Sequence, residues 1–150
     1  MIVNADFALK AVVHTQNIPW EKSPIEGVER KYLDRVGGEV AIASTVVKYA
    51  PNSSFTRHAH GGGEEILVLD GVFSDENGDY PAGSYLRNPP KSSHTPFSKK
   101  GCTLFVKLRH FHEGDLESVR INTNTETWHQ GMVPGLSVMP LHEFNGVGTA

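Results

Sequence analysis

Asn52-Ser-Ser-Phe-Thr-Arg-His58-Ala-His60-Gly-Gly-Gly-Glu64-Glu65-Ile-Leu-Val-Leu-Asp-Gly71 is the stretch whose reading decides the fold. Two histidines one residue apart put both imidazoles on the same face of a strand, because strand side chains alternate with period two. The glycines at 61–63 permit a close chain reversal, which brings a carboxylate from the next strand back over that face. Glu64 and Glu65 compete for that role. Alternation sends them to opposite faces, and Glu64 is the preferred ligand. His94, arriving from a later strand, adds a third imidazole. Three nitrogens and one oxygen aimed at a single point suit a borderline divalent metal.

Outward from this stretch, fifteen glycines and nine prolines punctuate the chain and leave little room for long helices. Between them lie runs rich in β-branched and aromatic residues: Val28–Leu33, Val40–Tyr49, Phe55–His60, Glu64–Ser74, Gly83–Asn88, His94–Ser98, Cys102–Leu108 and Val119–Asn122. Many short strands at regular spacing predict an all-β antiparallel sandwich or barrel. Asn77-Gly78 reads as a hairpin turn and Pro51-Asn52 as the centre of a tight turn. Glu64–Ser74 is apolar on both faces, as a central strand covered on two sides would be.

At 150 residues the chain reads as one domain spanning 1–150, with a core over about 19–110, an N-terminal extension and a C-terminal strand segment over 117–150. A net charge of −3 and a pI near 6.2 give no electrostatic reason to expect a nucleic acid or an anionic membrane as partner. Cys102 is the only cysteine, so no intrachain disulfide forms and a thiolate zinc cluster is excluded. No signal-peptide pattern and no membrane-spanning apolar run is present, which makes a cytoplasmic protein the expectation.

The motifs resemble the two sequence boxes of the cupins. The first box asks for a glycine, His-x-His, a glutamate and a closing glycine; here it runs Asn52, His58, His60, Glu64, Gly71, with Asn tolerating the turn that glycine would make. The second runs Gly83, Pro89, Lys91, His94, Ser98, with Lys91 in place of glycine and Ser98 in place of asparagine. Gly61–Gly83, Asn88-Pro-Pro90 and Gly101–Lys107 look like the ChrR-like group, and the likeness covers roughly Pro19 to Leu108. That group includes the zinc-binding cupin domain of certain anti-sigma factors and stand-alone proteins suspected of being dioxygenases. The resemblance implies a cupin-type conserved β-barrel (a double-stranded β-helix or jelly roll of two antiparallel sheets), often a homodimer. It implies one divalent metal ion held by His58, His60, Glu64 and His94. Fe2+ or Zn2+ leads, and Mn2+ or Ni2+ also accepts this ligand set.

Other features have plainer readings. His110 and His112 form a second His-x-His pair without a following carboxylate and read as a polar strand end. His14, His129 and His142 read as surface or capping residues, and Cys102 as a buried small hydrophobe. Lys107, within an apolar strand, either snorkels to solvent or projects into a cavity, and the first is preferred. Trp20, Tyr85, Phe97, Phe105 and Trp128 read as core or interface residues. Gly27–Leu33 and Gly135–Leu141 echo each other; this is either chance or the vestige of a duplicated unit whose last strand would need a sheet edge.

For function, the ligand set leaves a bound divalent ion cationic, with positions open to water or a small oxygenated substrate. The leading expectation is a metal-dependent oxygenase. A zinc-binding sensory module and a Lewis-acid isomerase or lyase are the alternatives.

Overall fold

The computed structural model describes residues 2–38 and 40–150. Its longer strands are β1 (Val28–Gly37), β2 (Ala41–Tyr49), β3 (Glu64–Asp75), β4 (Gly78–Pro81), β5 (Ser84–Asn88), β6 (Cys102–Leu108) and β7 (Val119–Asn122). All pair antiparallel, in the spatial order β1-β2-β6-β3-β5-β7, with β4 folded back on the far half of β3. β3 therefore sits between β6 and β5, as its two apolar faces predicted. The all-β antiparallel expectation holds.

Boundaries follow the sequence closely at β6 and β7, where the predicted and observed ranges coincide. Two predicted strands are interrupted. Of Phe55–His60 only His58–Ala59 is strand, with Ser53–Ser54 pairing separately just before it, and His94–Ser98 becomes Ser93–His94 and Phe97–Ser98. The interrupting Thr95-Pro96 offers no N–H at the proline, so the ladder stops and resumes against another strand. The β3–β4 hairpin forms, but its turn is centred on Glu76-Asn77, because Asp75 pairs with Gly78. The Asp75 carboxylate accepts the Asn77 N–H at 2.8 Å and fixes this register.

The buried core comprises Val28, Val47, Ile66, Val68, Phe73, Leu86, Cys102, Leu104 and Val106, drawn from β1, β2, β3, β5 and β6. Cys102 belongs to it, as its sequence context suggested. On the other face of β3, Glu65 accepts hydrogen bonds from the Tyr85 hydroxyl at 2.6 Å and Arg87 Nη1 at 2.7 Å. Arg87 Nη2 donates to Asp115 at 2.6 Å, and His142 meets the same Asp115 oxygen at 3.0 Å. Glu65, Arg87 and Asp115 are all buried. His142 is thus neither a surface nor a capping residue, since its side chain is 4 % exposed. Lys107 keeps to the expected snorkelling position only in part, because its Nζ also lies 3.7 Å from Glu65 Oε2.

The C-terminal region departs most from expectation. Ser137–Val138 pairs locally with His129–Gln130, so the segment echoing Val28–Leu33 seeks no edge of the main sheet. A second small hairpin joins His142–Phe144 to Val147–Thr149. Trp128, read as core or interface, is 63 % exposed.

Candidate metal centre

His58 and His94 face each other across the short ladder that pairs His58–Ala59 with Ser93–His94. His60 follows one residue after that ladder, its N–H bonded to the Ser92 carbonyl at 2.9 Å. The three rings are separated by 4.6 to 5.2 Å between centroids, and one ligating atom from each lies within 4.8 Å of the others. Glu64 opens β3 and returns beside them. Its Oε2 lies 3.5 Å from His60 Nδ1 and 3.7 Å from His94 Nε2. The imidazoles form the mutually close set, and Glu64 adjoins two of them.

The chain reversal between His60 and Glu64 needs small residues for a reason the sequence alone concealed. A Cβ on Gly63, which has φ +83°, would lie 2.3 Å from the Phe111 ring. One on Gly62 would lie 2.5 Å from Arg109 Cγ. The glycines are packed under Arg109 and Phe111 rather than loose. Both departures from the cupin boxes at glycine positions adopt the backbone that glycine would. Asn52 has φ 60° and Lys91 φ 72°, so the loop before His94 keeps its shape at the cost of a strained lysine. Ser98, in place of asparagine, is fully buried and donates to the Val72 carbonyl at 2.6 Å.

Three residues that sequence reasoning did not single out support the cluster. Asn88 Nδ2 donates to Glu64 Oε2 at 3.2 Å, and Arg120 Nη2 donates to Asn88 Oδ1 at 2.6 Å. Asp75 Oδ2 stands 3.4 Å from His94 Nδ1. No motif marks them, because they meet only when β7 and the β3 hairpin fold back. The Thr56 carbonyl faces His58 Nδ1 at 3.3 Å, which favours a proton on that nitrogen and leaves the other free as a lone-pair donor.

The electrostatics suit a cation. Burial, then the neighbouring His94 and His58, pulls the His60 pKa down to about 3. Burial and His58 lower His94 as well, with Asp75 opposing. Both rings are therefore neutral at ordinary pH, the form that binds metal. Burial pushes Glu64 up to about 7 despite the Asn88 hydrogen bond and Arg120. His60 Nε2 is buried without a hydrogen-bond partner among the described residues. An orphaned imidazole nitrogen beside two further rings and a carboxylate fits a divalent metal ion.

The cluster borders a cavity of about 600 Å³ running into the barrel. Val28, Val47, Ile66, Phe73, Leu104 and Val106 form the apolar part of its wall. His110 and His112 lie outside this cluster, and among the described residues they form no second group of three ligands. Among the described residues no helix is long and apolar enough to cross a membrane.

Comparison with known proteins agrees with this geometry. The model of the ChrR cupin-like domain matches residues 9–112. Rhodobacter sphaeroides ChrR in its complex with SigE is similar at 25 % identity and a TM-score of 0.53, over 63 % of this chain and 51 % of that one. This chain thus spans about half the length of that one. The polyketide cyclase RemF of Streptomyces resistomycificus is similar in fold at 19 % identity and a TM-score of 0.55, over 71 % of this chain and 89 % of that one. A candidate acetylacetone dioxygenase of Methylibium petroleiphilum PM1 shares the fold at 16 % identity and a TM-score of 0.59, over 77 % of this chain and 92 % of that one. No curated protein matches. With the family model covering well over half of its residues, the chain belongs to the ChrR cupin-like family.

Proposed function

We propose that this protein is a small metal-dependent oxygenase, with His58, His60, Glu64 and His94 holding one divalent ion, Fe2+ or Zn2+ in first place. The observation that carries the reading is the cavity of about 600 Å³ beside the three imidazoles. A purely structural ion needs a closed ligand shell, whereas a reacting one needs an open position with room for substrate. When bound, the ion would polarise a chelating oxygen of the substrate and, as iron, supply redox chemistry.

The chain's own residues supply the rest. His60 and His94 stay neutral and keep their lone pairs available, while Asn88 and Arg120 orient Glu64. The apolar part of the wall suits the carbon skeleton of a small diketone or hydroxyketone. Metal analysis after anaerobic purification, followed by oxygen uptake with iron(II) over a panel of diketones and hydroxyacetophenones, tests the proposal. Oxygen uptake that tracks iron content supports it. Full iron occupancy with no uptake on any substrate overturns it, and turnover without oxygen would point to Lewis-acid isomerisation or lysis.

A further inference from the structure

The inward face of β1 carries charge where a barrel wall calls for apolar residues. Val28, Arg30 and Tyr32 line the cavity in alternation, and the bulge at Leu33 resets the register so that Arg35 follows them. Arg30 lies directly opposite Val47, a core residue of β2, so its neighbour on that side is apolar. Across the other edge its register partner is Glu21, yet no ion pair joins the two. Among the described residues no hydrogen bond or ion pair engages the Arg30 guanidinium. The half-buried Tyr49 hydroxyl lines the same cavity, likewise with no hydrogen-bond partner among the described residues. Its burial, together with the Glu64 charge, raises the tyrosine pKa while Arg30 opposes the rise, so both charges are felt at Tyr49.

The charge balance of the lining has one sign. Arg30, Arg35 and Arg109 face the cavity against a single carboxylate, Glu64. Arg35 is engaged, donating to the Gly38 carbonyl and lying over the Tyr32 ring at 5.6 Å. Arg109 lies across the glycines of the 61–63 reversal. Among the described residues Arg30 and Arg109 are thus the two lining guanidiniums without a hydrogen bond or ion pair, and of these Arg30 is the one beside Tyr49. Arg30 is half-buried at the cavity wall, and the planar fork of a guanidinium matches a carboxylate.

We infer that the substrate carries a carboxylate, bound by Arg30 with the Tyr49 hydroxyl as a second donor, while its keto or hydroxyl oxygen faces the His58, His60, His94 cluster. This rests on the metal-dependent reading above and narrows it from neutral diketones to keto or hydroxy acids. The carboxylate would offset the positive excess of the lining, which a neutral diketone would leave unbalanced.

The test compares acetylacetone with 2,4-dioxopentanoate, the same diketone bearing a carboxylate, by calorimetric titration of the zinc-loaded protein. The carboxylated probe should bind about 10- to 100-fold more tightly, the range of a charge-assisted hydrogen bond. Arg30→Gln should abolish this preference and leave zinc stoichiometry and acetylacetone affinity unchanged. Arg30→Lys, which keeps the charge and loses the fork, should reduce the preference several-fold and serves if the first variant does not fold. Equal affinity for the two probes, no binding of either, or a preference untouched by both substitutions overturns the inference. Failure of the underlying reading shows differently. A zinc stoichiometry of zero would deny the metal site, with the carboxylate preference then read on the metal-free protein, and absent oxygen uptake alongside a preserved preference would deny only the oxygenase.

Discussion

Asn88 donates to Glu64 Oε2 at 3.2 Å, and its own carbonyl is held by Arg120 at 2.6 Å, so the Glu64 carboxylate is aimed from two strands away. Supporting groups of this kind commonly contribute about 10- to 100-fold to metal affinity. Asn88→Ala and Arg120→Ala should each weaken zinc binding within that range in a chelator competition, without unfolding the protein. Unchanged affinity in both variants would show that Glu64 is oriented by packing alone.

Lys91 occupies a left-handed backbone conformation at φ 72° with its side chain exposed. Relief of such strain by glycine stabilises by about 1 kcal/mol, less the extra freedom glycine gives the unfolded chain. Lys91→Gly should therefore raise the melting temperature by up to about 3 °C for a chain of this size. Gly63→Ala should do the reverse and lower metal occupancy, because its Cβ would meet the Phe111 ring at 2.3 Å. Differential scanning calorimetry of the two variants checks the pair.

Burial in the core pushes the Cys102 thiol up to about 11, with Ser98 opposing in part. At pH 8 the native thiol should react with a disulfide reagent far more slowly than the same thiol in denaturant. The folded value lies above the unfolded one of 9.0, so this group favours folding fully below pH 9 and loses that contribution as pH rises through about 11. Denaturant titrations of the wild type and Cys102→Ala should converge with rising pH across that window.

Asp115 is buried between Arg87 and His142. Burial opposes its ionisation, yet hydrogen bonds from those two partners hold its carboxyl below the usual range. Removing one member of a buried, hydrogen-bonded charge pair typically destabilises by about 3–5 kcal/mol. Asp115→Ala should lose stability of that order in urea unfolding at pH 7. The wild type should lose the same support as pH falls below 3.8, the unfolded value, and the variant should not.

How much of this was legible in the sequence depended on distance along the chain. The His58, His60 pairing and the Glu64, Glu65 division followed from strand alternation, a local rule, and the structure separates the two carboxylates as that rule demands. Asp75, Asn88 and Arg120 reach the site only through strand pairing, and no spacing rule points to them. His142 looked like a surface residue because its partner Asp115 lies on a distant loop. The hairpin at residues 76–77 was placed one residue late, since the Asp75 side chain outweighs the Asn-Gly preference. Arg30 was passed over because a charge within a short predicted strand ordinarily faces water.

The Glu64-Glu65 doublet leaves strand placement ambiguous, for a shift of one position would still put a carboxylate among the imidazoles. Arg87 removes the ambiguity. Under such a shift Ile66 would replace Glu65 opposite Arg87, taking from the Tyr85 hydroxyl and Arg87 Nη1 the carboxylate that accepts from both. The ionic chain behind the sheet thus ties the native register to a carboxylate that only Glu65 supplies.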